Sequence, residues 1–192
     1  MGGELRVFAY CTEPAREAVA VAMGVEPVTS PPLASDGLGG WWQVDGKPVD
    51  FCYFRLHGHP MYPEAWFGES EDDALPSLAY VAFTAENLVD ADLADAVVVL
   101  ANCYGATSPL VQGFYEAGAR AVIAGSGPNL AAGNMVVGTD LLARTLLRML
   151  EMFPEVDVAK LLHMARARLL LTAWRESERD TLEFHVVEKV AG

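Results

Sequence analysis

Ala96-Val97-Val98-Val99-Leu100-Ala101-Asn102-Cys103-Tyr104-Gly105 is the stretch whose reading decides the fold. Four apolar residues in succession, three of them β-branched, describe a strand covered on both faces, which is the habit of a parallel sheet between helices. A helix start follows at once: Ser108 reads as the N-cap, Pro109 as the first helical residue and Gly118 as the stop. Cys103 therefore belongs at the carboxyl end of a central strand, the edge where open α/β sheets hold their ligands.

Working outward, the same grammar recurs. Leu5–Tyr10 predicts a first strand, leading through Thr12, Glu13 and Pro14 into a helix. Pro27–Gly40 reads as a loop rich in Pro, Ser and Gly, and the Trp41-Trp42 pair behind it as a pin into the core. Asp45-Gly46 signals a turn, and Val49–Leu56 a second good strand ending in His57-Gly58-His59-Pro60. The segment from Tyr62 to Pro76 reads as irregular and acidic, a solvated loop with a pocket wall as the alternative. Leu78–Phe83 reads as a short strand, and Ala85–Leu93 as a short helix or turn.

Past the helix of Pro109–Ala117, Arg120–Ala124 predicts another apolar strand, closing in Gly125-Ser126-Gly127-Pro128-Asn129. Gly138-Thr139 opens a long helix with a stripe of Leu141, Leu142, Leu146, Met149, Leu150 and Phe153 toward the core. Asp157 caps a further helix, and Thr181–Val187 alternates as a final strand. Strands alternating with helices, without repeat or linker, predict one α/β domain over residues 1–192: a three-layer sandwich with a mainly parallel sheet and helices on both faces.

Composition narrows the function. At 192 residues with 52% apolar and 20% charged residues, the chain suits one sizeable core. No apolar run approaches a bilayer's thickness and the first residues lack a signal-peptide pattern, so no membrane partner and a cytoplasmic location are expected. Three cysteines at irregular spacing make no disulfide framework. A net charge of −13 without a Lys/Arg cluster argues against nucleic acid.

The reactive side chains collect at strand ends. His57 and Cys103 each close a predicted strand, each near a glycine. If the strands are parallel neighbours, their ends share one edge about 4.8 Å apart. An imidazole beside a thiol takes its proton, and the thiolate attacks a carbonyl carbon. The backbone N–H groups of Gly58 and Cys103 are candidates for the oxyanion hole. Several alternatives stay open on the residues alone. His59 is a second candidate base, and Cys11, at a strand end before a helix, is a rival nucleophile. Cys52, His163 and His185 read as structural. Asn102, Ser126, Asn129 and Asn134 are candidates for the cleft wall as well as ordinary turn residues. His57, His59, Cys103 and Cys11 also offer a mixed N/S set to zinc, although no HExxH spacing is present.

Three segments together resemble a known family. They are Leu56-His57-Gly58 after a strand, Val97 to Gly105, and Ala117-Gly118-Ala119-Arg120-Ala121-Val122-Ile123-Ala124-Gly125-Ser126. In order and separation they resemble the caspase-fold cysteine peptidases, CHAT domains most closely, with clostripain, gingipain and separase as more distant branches. The likeness runs from about Phe51 to Leu171 and more faintly to Leu182–Val187. It implies a caspase-like sheet, His57 as general base, Cys103 as nucleophile, and Gly58 with the Cys103 amide as oxyanion hole. The implied reaction is cleavage of a peptide or protein substrate through an acyl-enzyme, with no cofactor and no metal. His59, Asn102 and Ser126 are the residues expected at the substrate pocket. The chain departs from the family in three places. Ala101 stands where metacaspase-like members carry an acidic residue for a basic substrate. Ala101-Asn102-Cys103 replaces the Ser-Ala-Cys usual in CHAT domains, and Ser126–Asn134 lacks the usual tryptophan. A catalytically silent binding or scaffold domain on the same fold is the alternative expectation.

Overall fold

Six strands are hydrogen-bonded into one sheet, and its order places the Cys103 strand near the middle. The fold is that of a computed structural model, which describes residues 5–30, 33, 42–68, 81–129, 133–172 and 183–190. In chain order the strands are β1 (Val7–Thr12), β2 (Val28–Ser30), β3 (Gln43–Val44), β4 (Lys47–Pro48), β5 (Phe51–Arg55), β6 (His57–Gly58), β7 (Ala65–Phe67), β8 (Val81–Thr84), β9 (Val97–Leu100), β10 (Ala121–Ala124) and β11 (His185–Val186). The α-helices are α1 (Arg16–Met23), α2 (Leu110–Glu116), α3 (Gly138–Met152) and α4 (Val158–Thr172).

The large sheet runs β11-β10-β9-β5-β1-β2. Every pairing in it is parallel except that of β10 with β11. Its strands are short and their residues alternate between two cores. Ala9, Cys11, Phe51, Tyr53, Val97 and Val99 meet the apolar sides of α1, α3 and α4. Phe8, Tyr10, Cys52, Phe54, Val98 and Leu100 meet α2 and the aromatic residues of β7 and β8. Val97–Leu100 is buried throughout, as a strand covered on both faces must be. The expected three-layer α/β sandwich with a mainly parallel sheet is therefore the observed architecture.

Local signals account for most element ends. Pro14 sits in a single 3-10 turn, Glu13–Ala15, that runs into α1. Gly24 ends α1 in the left-handed region at φ 73°. Asp45 and Gly46, both with positive φ, form the two-residue turn between β3 and β4. The Ser108 hydroxyl accepts the Leu110 N–H at the start of α2, and Gly118 lies beyond its end at φ 103°. Asp157 accepts the Lys160 N–H and caps α4.

Three segments differ from the sequence reading. Val28–Ser30, inside the expected loop of Pro27–Gly40, pairs with Tyr10–Thr12 as the outer strand of the sheet. Ala65–Phe67, inside the expected irregular segment, is the centre of a second, antiparallel sheet ordered β6-β7-β8. His57-Gly58 is itself a short strand of that sheet, opposite Phe67 and Trp66, not the start of a loop. In each case a neighbouring strand supplies the hydrogen bonds that local sequence does not signal. Trp42 is buried, with its indole N–H donating to the Asn87 carbonyl at 3.1 Å, as the pinning role requires. Trp41, the Gly37–Gly40 segment, the acidic run 69–73 and Leu182 lie outside the described residues. Among the described residues no helix is long and apolar enough to cross a membrane.

Candidate functional site

β5 and β9 are adjacent and parallel, with Phe54 level with Leu100. His57 and Cys103 each follow that pair by three residues, so both leave the sheet at its carboxyl edge. The two chains then meet backbone to backbone. Gly58 is packed so closely that a Cβ there would stand 2.0 Å from the Cys103 carbonyl oxygen and 3.0 Å from its carbon. Only glycine fits this approach. His57 is half-buried on β6, immediately before that contact.

Cys103 is half-buried, while Cys11 and Cys52 are buried in the two cores. Its sulfur is held by the backbone of Asn129: the Asn129 N–H donates to Sγ at 3.2 Å, and the thiol faces the Asn129 carbonyl at 3.5 Å. The Asn129 side chain donates in turn to the Ala101 carbonyl at 2.6 Å, tying the Gly125–Asn129 turn to the end of β9. Tyr104, directly after the cysteine, adopts the left-handed conformation at φ 57°, and its N–H donates to the Gly127 carbonyl. For a bulky residue that conformation carries strain, which the surrounding hydrogen bonds sustain. The sharp turn it makes takes the chain away from the sheet just beyond the thiol.

A cavity of about 240 Å³ opens beside Cys103, with Gly58, His59 and Trp66 among its lining residues. The Ser108 hydroxyl donates to the Pro63 carbonyl at 2.6 Å and so ties the loop after β6 to the start of α2 across its rim. His59 lines the cavity with its ring 5.5 Å from that of Tyr62. Its Nδ1 accepts the Met61 N–H at 3.1 Å, which puts the proton of the neutral ring on Nε2. Of the other residues expected at the pocket, Asn102 is wholly buried, its Oδ1 accepting the Leu56 N–H at 3.4 Å. It braces the β5 exit against the β9 exit from below. Ser126 and Asn134 are exposed, and neither is among the residues that line the cavity.

Beneath the edge, on the helical face, lies a buried ion pair. The Arg55 guanidinium donates to Asp140 Oδ2 at 2.8 Å and to the Met135 and Gly133 carbonyls at 3.2 and 3.0 Å. Tyr53 donates its hydroxyl to Asp140 Oδ1, and Asp140 accepts the Val137 N–H at the start of α3. Desolvation raises the Asp140 carboxyl above its usual range, and the Arg55 charge, with the Tyr53 and Val137 donors, pulls it back. Burial pushes the Tyr53 hydroxyl well up. Cys11 lies level with Arg55 on the adjacent strand, and burial pushes its thiol up to about 12. Cys52 is likewise driven up by burial. Neither is a nucleophile at neutral pH. Among the described residues no three His, Cys, Asp or Glu side chains gather into a metal-binding group.

Asn129, a candidate for the cleft wall as well as a turn residue, is the member of that group that holds the Cys103 sulfur. The segment from Tyr62 to Pro76, for which a pocket wall is the alternative to a solvated loop, brings Pro63, Ala65 and Trp66 to the cavity. Tyr104 and Asp140 are not among the candidates. No family model and no curated protein matches the chain.

Proposed function

We propose that the chain is a cysteine-dependent hydrolase of peptide bonds, with Cys103 as nucleophile and His57 as general base. The observation that carries this reading is the fit of Gly58 against the Cys103 carbonyl, beside a cavity that the Cys103 residue lines. It brings the residue after the imidazole into contact with the backbone that bears the thiol. The resemblance of the same segments to caspase-fold peptidases agrees with it. His57 takes the thiol proton, and the sulfur adds to the carbonyl carbon of the substrate while the Gly58 and Cys103 N–H groups receive the oxyanion. Collapse breaks the C–N bond, and the imidazolium protonates the leaving amine. Water then cleaves the thioester, releasing a carboxylic acid and restoring the thiol. The Asn129 N–H, which donates to Sγ, holds the sulfur in place.

Iodoacetamide at neutral pH tests the pairing. Cys103 is alkylated before Cys11 and Cys52, and the rate falls at least tenfold in His57→Ala. Equal rates in both proteins would overturn the proposal. One observation favours a second reading, a ligand-holding domain without catalysis. The Asn129 backbone engages the thiol on both its donor and acceptor sides, as a purely structural cysteine would be engaged. In that case Cys103→Ala leaves ligand retention unchanged and no turnover is found with either protein.

A further inference from the structure

We infer that the cavity beside Cys103 receives an uncharged, apolar side chain of the substrate, of leucine to phenylalanine size, on the residue whose carbonyl is attacked. The inference rests on the hydrolase reading and names its substrate class. Its volume of about 240 Å³ is below the roughly 300–1,000 Å³ that houses a whole drug-sized ligand, so it suits one side chain.

The chemistry of the walls selects which one. Pro60, Pro63, Ala65 and Trp66 give apolar surface, and Thr107 and Ser108 give only hydroxyls. Among the described residues the lining holds no Asp, Glu, Lys or Arg, and His59 is its one basic side chain. The hydroxyls already have partners: Ser108 donates to the Pro63 carbonyl and Thr107 to the Tyr104 carbonyl. Ala101, two residues before the thiol, is wholly buried in the helical-face core and offers no charge to the cavity. An Arg or Lys side chain entering here would lose water without gaining a counter-charge from these walls. The apolar wall is also stiff. Trp66 stacks on Phe83 at 5.1 Å and 18°, and Phe83 on Phe114 at 5.6 Å and 5°. A cavity with such a wall does not reshape itself to admit a charged head group.

Peptidyl chloromethyl ketones that differ only in the residue next to the ketone provide the test. Each alkylates Cys103 with formation of a C–S bond and departure of chloride, and intact-protein mass identifies the adduct. With rates normalised to iodoacetamide, the leucine and phenylalanine reagents react at least tenfold faster than the lysine and aspartate ones. Thr107→Asp, which adds a carboxylate at the exposed rim, narrows or reverses the gap between phenylalanine and lysine. Equal normalised rates for all four reagents, or faster reaction with lysine or aspartate in the unaltered protein, overturns the inference about the cavity. The hydrolase reading fails separately, when iodoacetamide alkylates Cys103 equally fast with and without His57.

Discussion

Cys11 and Cys103 flank the same strand, β5, on opposite sides, and each stands where a parallel strand gives way to a helix-bound turn. Their surroundings have little in common. Cys11 is still in the sheet, level with Arg55, and its position places the thiol on the face covered by α1 and α3. It is wholly buried, beside the Arg55–Asp140 pair, and its thiolate fraction at pH 7 is on the order of 10⁻⁵ given a pKa of about 12. Cys103 stands beyond the last paired residue of β9, where the chain has turned out of the sheet. Its sulfur meets the Asn129 backbone N–H, and the residue lines a cavity. The lesson is that a strand end alone does not make a reactive site. A cysteine that keeps the register of its strand remains in the core. One that lies past the last ladder bond, at a strained turn, reaches the outside.

The sharpest way to break this comparison is to delete each thiol in turn. Cys103→Ala is expected to lower peptide hydrolysis by about 10⁴-fold or more while unfolding stability stays within about 1 kcal/mol. Cys11→Ala is expected to retain activity. Hydrolysis that survives in Cys103→Ala would make the two ends equivalent. Next in size is the ionic floor beneath Cys11. Asp140→Ala removes the carboxylate partner of the buried Arg55 guanidinium and is expected to cost about 3–5 kcal/mol in urea unfolding. A loss below 1 kcal/mol would show that the helical face of the edge is not held by that pair.

Gly58→Ala probes the Cys103 side. The added methyl meets the Cys103 backbone, which has to move, so a loss of about 1–3 kcal/mol is expected together with slower alkylation of Cys103. Unchanged alkylation would place the contact outside the site. The smallest effect is an alkaline one. The folded Cys11 thiol titrates above its unfolded value, so its contribution to stability is complete below the ordinary thiol pKa and is lost as pH rises toward about 12. Stability measured between pH 9 and 11 is expected to fall by up to about 1.4 kcal/mol per pH unit for this thiol, and Cys11→Ala removes that part of the slope. An identical slope in the variant would mean that Cys11 is not desolvated.

Much of the architecture was readable because it is local. Val97–Leu100 carries its two-faced burial in four apolar side chains, and the Asp45-Gly46 turn announces its positive φ angles. The capping roles of Ser108 and Asp157 depend on residues two or three positions away. The second sheet was not readable. Its strands at 57–58 and 65–67 carry no periodic pattern long enough to detect, and they exist because each is the other's hydrogen-bonding partner. Asn102 shows the same limit inside the site. Its place beside Cys103 suggested a cleft wall, but the side chain turns under the edge to meet Leu56.

By themselves, the residues determined which segments are strands of a covered sheet, where the main helices begin, and that a histidine-glycine pair and a cysteine close two of those strands. Apolar period, caps and turns act over a few bonds, and a sequence records them directly. Tertiary structure alone decided that β5 and β9 are neighbours in register and that Cys11 faces the helices. It alone decided that Trp66, carried in on a separate sheet, walls the cavity beside Cys103. Those outcomes depend on how distant surfaces pack together, and close packing of two segments is a property of neither one.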